Sequence, residues 1–203
     1  LSKSTDRIIM QTIELQKVAS QVRRDILRQV HGCQSGHPGG SLGCTDLLVE
    51  LYFNSMNLKS DVSGQVEFHM DGLNEDVFFL SNGHISPLLY SVLARRGYFP
   101  VAELASFRKL NTRLQGHPTP HEHLEGIRIA SGSLGQGLSV AIGVAQAKKL
   151  NGDSSTVYCL MGDGEQNEGQ VWEAAMYAPH HKVDNLIAFI DENGQQNDCP
   201  TEK

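Results

Sequence analysis

Two polar residues thirty positions apart, Asp163 and Asn193, could together hold a metal ion. Each follows a short apolar run, and Asp163 stands between Gly162 and Gly164. Carboxylate and amide oxygens are hard ligands that Mg²⁺ accepts, and the backbone carbonyl of Gln195 could complete the protein ligands. With diphosphate oxygens and water in the remaining positions, the pattern predicts a magnesium diphosphate site. A strand that ends in a glycine-flanked aspartate also occurs as a simple tight turn, so that alternative stays open.

The chain between these two residues reads as one βαβ unit. Residues 156–161 and 186–190 are apolar runs of strand length, and residues 168–181 read as a helix between them. A crossover of this kind is right-handed and makes its two strands parallel. Asp163 and Asn193 should therefore emerge at the same sheet edge, where open α/β folds bind ligands. There the amide of Gly164 would donate to a phosphate oxygen.

The rest of the chain also alternates apolar strands with helices. A short strand is predicted at residues 77–80, and residues 54–76 and 36–43 are predicted as a polar loop and a glycine-rich segment. The predicted helices are residues 5–30, 45–53 with Thr45 as cap, 86–96, 101–110 and 138–150. This alternation indicates the α/β class, a parallel sheet with helices on both faces. We expect one domain over residues 1–203.

Glycines between residues 131 and 137 precede the predicted helix 138–150. Gly132, Gly135 and Gly137 have the wrong offsets for a dinucleotide-binding fingerprint, and no acidic residue follows at the required distance. A nicotinamide cofactor is therefore disfavoured. The functional interpretation of this segment is that its backbone passes close to a flat cofactor ring. The alternative is that it only leads the chain into the following helix.

Three histidines, His37, His84 and His117, each stand beside a glycine in a loop that begins or ends an element. If the loops converge on one face, imidazoles there can donate to phosphate or substrate hydroxyls and move protons near neutral pH. Any one of them alone would be an ordinary capping or surface residue. A zinc site of His117, His121 and His123 is a further alternative, which the absence of a nearby cysteine and of a helix disfavours.

Size, charge and cysteine content restrict the class of protein. The chain has 203 residues, of which 39% are hydrophobic, a formal charge of -6 and a pI of about 5.8. This balance argues against a nucleic-acid partner or an anionic membrane surface. The four cysteines form no paired motif, which fits a cytoplasmic location, and no stretch is long enough to span a bilayer. The chain begins at Leu1 and ends soon after the second strand of the βαβ unit, so we expect a fragment of a longer subunit, truncated at the C-terminus.

Five motifs in this order resemble the N-terminal, diphosphate-binding part of transketolase. They are residues 35–41 (Ser-Gly-His-Pro-Gly-Gly-Ser), 81–84 (Ser-Asn-Gly-His), 115–118 (Gln-Gly-His-Pro), 131–137 (Ser-Gly-Ser-Leu-Gly-Gln-Gly), and 162–164 (Gly-Asp-Gly) with 193–194 (Asn-Gly). The resemblance covers nearly the whole chain. It is nearest to the split bacterial form, in which this part is a separate N-terminal subunit.

The resemblance implies thiamine diphosphate with Mg²⁺ or Ca²⁺, bound in the pyrophosphate-type fold of this family. The implied metal ligands are Asp163, Asn193 and the carbonyl of Gln195. The implied cofactor-binding residues are His84, Gly132, Ser133, Leu134, Gly162, Asp163, Gly164, Glu168 and Asn193. The residues implied in catalysis are His37, His117 and Glu168. Among these, Glu168 would join a carboxylate network at a subunit interface, although a glutamate at a helix start is also favoured simply by the helix dipole.

The implied reaction moves a two-carbon ketol unit from a ketose phosphate to an aldose phosphate, with the thiazolium ring stabilising negative charge. The implied partner is a C-terminal subunit that carries the pyrimidine-binding half and its activating glutamate, with two such pairs forming a dimer. Glu192, Asn197 and Cys199 depart from the family pattern close to the metal ligands. The alternatives are a related enzyme, such as 1-deoxyxylulose-5-phosphate synthase, and a non-catalytic binding half.

Overall fold

Parallel strands form the centre of the fold in the computed structural model, which describes residues 10–196 and 199–201. Within these residues the sheet has the order β1-β2-β3, with β1 at Val77–Leu80, β2 at Val157–Gly162 and β3 at Leu186–Asp191. Val157 pairs with Val77 on one side and with Leu186 on the other. Both pairings are parallel, as predicted for the βαβ unit.

Six α-helices surround the sheet in the described part of the chain. They are α1 Thr12–Cys33, α2 Pro38–Gly43, α3 Thr45–Glu50, α4 Ser86–Arg96, α5 Gly137–Leu150 and α6 Gly169–His180. A π-helical turn continues α3, and short 3-10 turns connect other elements. These turns are Leu51–Ser55 (π) and Gly83–Ile85, Val101–Ser106, Pro120–Glu122 and Gly164–Asn167 (3-10).

The two faces of the sheet pack into separate apolar cores. Alternate strand residues point to opposite faces, and Phe78 and Leu80 accordingly join the core formed with α1, α3 and α4. Val77 and Phe79 join the second core, formed with α5 and α6. The prediction of a parallel sheet with helices on both faces is confirmed. The β3 strand is less covered, because Ile187 and Ile190 are exposed on it.

Two sequence predictions about local structure are wrong, and one segment has more regular structure than was predicted. The glycine-rich segment 36–43 contains α2, which begins at Pro38, whose fixed φ suits the first helical turn. Thr45 does not cap α3, since its hydroxyl donates to the carbonyl of Ser41 at 2.9 Å while Cys44 occupies the cap position. The predicted helix 101–110 is a 3-10 turn that ends at Ser106.

The physical reason for that last difference lies in the residues beyond the turn. Arg108 and Asn111 both have positive φ values, which a right-handed helix does not allow. The chain instead turns back, and the Arg108 N–H donates to the Leu114 carbonyl at 2.9 Å. The apolar spacing of residues 101–110 reflects packing of this turn against α1 and α4.

The first helix begins and ends later than the apolar spacing predicted. Gln11 is the N-cap residue of α1, and the helix continues to Cys33, where Gln34 adopts a left-handed conformation. Residues 5–9 of the predicted helix lie outside the described residues. Among the helices that the structure describes, none combines the length and apolar character needed to cross a membrane.

Candidate functional site

Asp163 and the loop of Asn193 meet at the carboxyl edge of β2 and β3. Gly162 pairs with Asp191, so both chain segments leave the sheet side by side. The Asp163 Oδ2 accepts the N–H of Gly194 at 2.7 Å. The structure therefore brings together the two parts of the predicted metal site, as the parallel βαβ geometry requires.

The remaining hydrogen bonds of this edge keep the ligand side chains in place. Asp163 Oδ1 accepts the N–H of Gly164 at 2.8 Å, so in this structure that N–H is used within the turn. Asn193 Oδ1 accepts the N–H of Gln195 at 2.9 Å. Each of these oxygens retains a second lone pair.

Asp191 is a contributor to the site that sequence reasoning did not assign. Its carbonyl accepts the N–H groups of Asp163 and Asn193 at 3.2 and 3.1 Å. Its carboxylate accepts the Asn193 side-chain amide at 3.0 Å. It also accepts a hydrogen bond from the buried Cys44 thiol, and burial together with this carboxylate raises the pKa of Cys44 to about 12. Cys44 is thus an unreactive thiol that helps to orient Asp191.

The residues at this edge fit a hard divalent cation. A carboxylate from Asp163, an amide oxygen from Asn193 and a backbone carbonyl at Gln195 are the oxygen donors that Mg²⁺ and Ca²⁺ select. In residues 10–196 and 199–201, no group of three or more His, Cys, Asp or Glu is arranged to hold a metal. The zinc alternative of His117, His121 and His123 therefore lacks a ligand set.

Glu165 ties three loops of the site together, and sequence reasoning missed it. Its side chain is buried, with a relative exposure of 2%. It accepts hydrogen bonds from the Ser81 hydroxyl after β1, from the Gly135 N–H at 2.7 Å and from the Gly162 N–H at 3.0 Å. A buried carboxylate needs such donors to offset its desolvation. One side chain thus fixes the strand ends to the loop that precedes α5.

The glycine loops pack against one another too closely for side chains. A Cβ on Gly83 would lie 2.7 Å from the Gly132 nitrogen, and one on Gly132 would lie 2.8 Å from the His117 ring. At the centre of this contact, Asn82 Oδ1 and Ser131 Oγ are buried without a hydrogen-bond partner among the described residues. Buried polar atoms that lack partners are rare, and a bound polar ligand would satisfy them. The site therefore fits a cofactor at these loops.

The segment of predicted cofactor-binding residues 132–134 is held by the start of α6. A Cβ on Gly135 would lie 2.7 Å from Glu168 Cβ. The Leu134 carbonyl accepts the Gln170 side-chain amide at 3.4 Å. Glu168 itself is the N-cap residue of α6 and not part of its first turn, and its side chain is exposed. Ser133 is also exposed and accepts a hydrogen bond from the side chain of Gln136.

The three loop histidines come together on one side of the site. The His37 and His84 rings lie 5.1 Å apart, and His117 is near enough to both to affect their charge. Burial is the first cause that lowers the pKa of each ring, and the neighbouring histidines lower the pKa of His84 further, against Asp191, which raises it. All three imidazoles are neutral at pH 7, so each can both accept and donate a proton.

Arg108 lies beside this histidine cluster and was also missed. Its positive charge further lowers the pKa values of His37 and His117. No local pattern marked it, since it reaches the cluster from the turn after residues 101–106. Glu165, by contrast, carried a usable signal, because a carboxylate two residues after Asp163 must lie near the same strand end.

A parallel α/β domain with carboxylate and amide oxygens and interlocked glycine loops at its carboxyl edge is the architecture of a protein that binds a diphosphate-bearing cofactor. Comparison with known proteins is specific about the family. Residues 14–203 match the family described as transketolase, thiamine diphosphate binding domain. The chain belongs to the transketolase family and contains its thiamine diphosphate-binding domain.

Individual relatives agree with this assignment. The chain is 39% identical over 193 residues to 6-deoxy-6-sulfo-D-fructose transketolase subunit SqwG from Clostridium sp. (strain MSTE9), covering 95% of the chain and 67% of that protein. It is 39% identical over 191 residues to mouse transketolase-like protein 2, covering 93% of the chain. The crystal structure of Campylobacter jejuni transketolase aligns over 95% of the chain with a TM-score of 0.83 and 33% identity.

The chain spans only part of its relatives. It covers 29% of mouse transketolase-like protein 2 and 30% of the Campylobacter jejuni chain. It covers 65% of an apulose-4-phosphate transketolase subunit from Phocaeicola vulgatus, to which it is 36% identical.

Proposed function

We propose that this chain is the N-terminal, thiamine diphosphate-binding subunit of a split transketolase. Together with a C-terminal subunit it transfers a two-carbon ketol unit from a ketose phosphate to an aldose phosphate. The observation that carries the proposal is the cluster of His37, His84 and His117 beside the edge where Asp163 meets the loop of Asn193. A diphosphate site alone would serve many cofactors, whereas adjacent neutral imidazoles suit a substrate rich in hydroxyl groups.

Thiamine diphosphate and Mg²⁺ or Ca²⁺ are the groups that the proposal requires. Asp163, Asn193 and the Gln195 carbonyl would hold the metal. His84, Gly162 and Gly164 would face the diphosphate, while residues 132–134 would lie along the aminopyrimidine. When bound, the cofactor supplies the electron sink that lets a carbon–carbon bond next to the ketose carbonyl break.

The chain's own residues orient the sugar and move its protons. His37 and His117 are exposed, neutral at pH 7 and close to the positive charge of Arg108. Each can accept a proton from a sugar hydroxyl at Nε2 or Nδ1 and return it later in the reaction. The glycine loops exclude side chains from the space between them, which keeps the reacting centre close to the backbone.

A partner chain is part of the proposal. Two relatives of comparable coverage are named as subunits, which supports a division of the enzyme between chains. The exposed Glu168 at the start of α6 would join the partner's carboxylates, and two such pairs would form the dimer. The four free cysteines fit a cytoplasmic location. The acidic net charge argues against nucleic acid or membrane partners.

Co-expression with the C-terminal subunit of the same genome tests the proposal. The purified complex, with thiamine diphosphate and Mg²⁺, should transfer ketol units between phosphorylated sugars in a coupled assay. The donor panel should include xylulose 5-phosphate, apulose 4-phosphate and 6-deoxy-6-sulfo-D-fructose, because two relatives carry the latter two names. Pyruvate as the only productive donor would instead identify a 1-deoxyxylulose-5-phosphate synthase-like enzyme. A folded complex that binds the cofactor but turns over no donor would identify a non-catalytic half.

A further inference from the structure

Arg108 bridges the two loops that carry His37 and His117. Its Nη1 donates to the Ser35 hydroxyl at 2.9 Å, across 73 positions of sequence. Its guanidinium also packs against Gly116, where an added Cβ would lie 2.9 Å from Cζ and 3.0 Å from Nε. Ser35 stands two residues before His37, and Gly116 directly precedes His117. One side chain therefore contacts both histidine loops close to the imidazoles.

The ring of Phe107 and a backbone hydrogen bond hold the guanidinium of Arg108 in place. Its Cζ lies 5.5 Å from the ring centroid of Phe107, which is 2% exposed, a geometry that favours a cation over an aromatic face. The Arg108 backbone is anchored by its N–H, which donates to the Leu114 carbonyl at 2.9 Å in a left-handed conformation. Arginine at this place thus has little freedom to swing away.

The opposite side of the 115–117 loop is held by α4. The Ser86 hydroxyl donates to the Gly116 carbonyl at 2.7 Å, and the Tyr90 hydroxyl donates to the Gln115 carbonyl at 2.9 Å. Arg108 therefore packs against the side of the 115–117 loop that α4 does not contact. The Nε of Arg108 is buried and has no hydrogen-bond acceptor among the described residues.

We propose that Arg108 is a positioning residue for the reaction: it fixes the separation of the two histidine loops and presents its positive charge to both imidazoles. The inference rests on the proposed function of the site. The charged and titratable groups that face these imidazoles are Arg108, His84 and, through His84, Asp191, and His37 and His117 also face each other. Arg108 is the cation among them, and it opposes protonation of His37 and His117. Both rings thereby remain proton acceptors when the sugar arrives.

Histidine titration in the full chain tests the inference without relying on turnover. The chain would be labelled with ¹³C at the imidazole, and His37→Gln and His117→Gln would assign the two signals by NMR. In Arg108→Gln we expect the pKa values of both His37 and His117 to rise, because the neighbouring cation that opposes their protonation is lost. Lys109→Gln, the loss of a neighbouring exposed cation, should leave both unchanged. Unchanged values in a folded Arg108→Gln variant would overturn the inference.

Arg108→Lys separates charge from geometry. Lysine keeps the positive charge but lacks the planar fork, so the histidine pKa values should stay near wild type while the KM for the ketose rises. If Arg108→Gln fails to fold, this variant decides alone, and a wild-type KM with wild-type pKa values would refute a positioning function.

In the active complex, Arg108→Gln should also move the acid limb of kcat/KM to higher pH. Shifted titrations in a chain that never supports ketol transfer would refute the proposed function and keep only the effect of the Arg108 charge on the two imidazoles.

Discussion

At the scale of single residues, the carboxylate of Asp163 both links two loops by hydrogen bonds and offers lone pairs to the proposed metal. The oxygens accept the N–H groups of Gly164 and Gly194, which links the end of β2 to the loop after β3. Each oxygen keeps a second lone pair, which the proposed function assigns to the metal. The same residue thus shapes the loop and supplies its charge.

Asp163→Ala should weaken binding of thiamine diphosphate with Mg²⁺ to the partner complex by at least about 100-fold. This value is a minimum, because even loss of residues that only orient metal ligands costs about 10- to 100-fold. Calorimetric titration measures the change. Asp184→Ala is the matched control, since Asp184 is exposed and forms its ion pair with Lys149 at the C-terminal end of α5. Wild-type affinity in Asp163→Ala would contradict the proposed ligand.

The histidine cluster makes stability depend on pH. Burial lowers the pKa of His84 below its usual value near 6.5, and neighbouring His37 and His117 lower it further. Between the folded and unfolded pKa values the unfolded chain binds more protons, so the free energy of unfolding should fall as pH drops below about 6.5. Urea unfolding at pH 7.5, 6.5 and 5.5 measures this fall.

The His84→Gln variant should flatten that pH dependence. Exposed His31 on α1 provides the control, and His31→Gln should leave the dependence as it is in the wild type. Both variants keep every carboxylate of the wild type, so the comparison with His31→Gln isolates the contribution of the buried histidine. An equal slope in His84→Gln and wild type would show that the cluster does not carry the effect.

At the scale of elements, the site depends on how the ends of β1 and β2 are joined to the loop that precedes α5. Glu165 is the buried link between Ser81, Gly135 and Gly162. The donors come from different elements, β1, the approach to α5, and β2. Tertiary packing alone would leave these loops free to shift by fractions of an ångström, whereas shared hydrogen bonds to one carboxylate fix their spacing.

Glu165→Ala should lower the free energy of unfolding by about 3 to 5 kcal/mol, since buried donors lose their acceptor and a cavity forms. Urea denaturation followed by near-ultraviolet circular dichroism measures the loss. Glu173→Ala on the exposed side of α6 should change stability by less than about 0.5 kcal/mol. A loss below about 1 kcal/mol in Glu165→Ala would mean that the three donors find water or other acceptors.

At the scale of the whole molecule, one side of the domain is unusually apolar. On α6, Trp172, Met176 and Tyr177 are exposed by 60%, 67% and 42%, and Ile190 of β3 is exposed on the same face of the sheet. Exposed apolar surface of this kind marks association with another protein. The surface begins next to Glu168, which ties it to the proposed partner chain.

Trp172→Glu should weaken association with the C-terminal subunit by about tenfold or more, because buried aromatic residues dominate interface energies. Sedimentation velocity or surface plasmon resonance of the two purified chains measures the affinity. Ile13→Glu is the matched control, as Ile13 is 63% exposed on α1, which packs on the other face of the sheet. Equal losses in both variants would indicate a general effect of charge and not a specific interface.

Trp172 also reports on its own surroundings. It is the single tryptophan of the chain, and its indole N–H donates to the Gln166 carbonyl at 2.8 Å. A ¹⁹F label on this side chain therefore gives one signal, whose shift on mixing with the partner follows burial of the α6 face directly.

The sequence by itself determined the βαβ unit that carries Asp163 and Asn193. Apolar runs, helix length and the parallel crossover are local properties, and parallel strands must deliver their carboxyl ends to one edge. The same local logic placed His37, His84 and His117 in loops next to strand and helix ends. The prediction of a helix over residues 101–110 was wrong because Arg108 and Asn111 have positive φ values, which the apolar spacing does not reveal. Asn197, one of the departures from the family pattern, lies outside the described residues.

Only the tertiary structure decided how those loops are held. The Ser81 hydroxyl meets Glu165 across 84 positions, and Arg108 meets Ser35 across 73. Such contacts depend on where distant turns fold back, and no periodicity along the chain records that. The predicted ligands could be placed at one sheet edge from residue order because strand geometry is local, while the side chains that set the spacing and charge of the loops were decided by long-range packing.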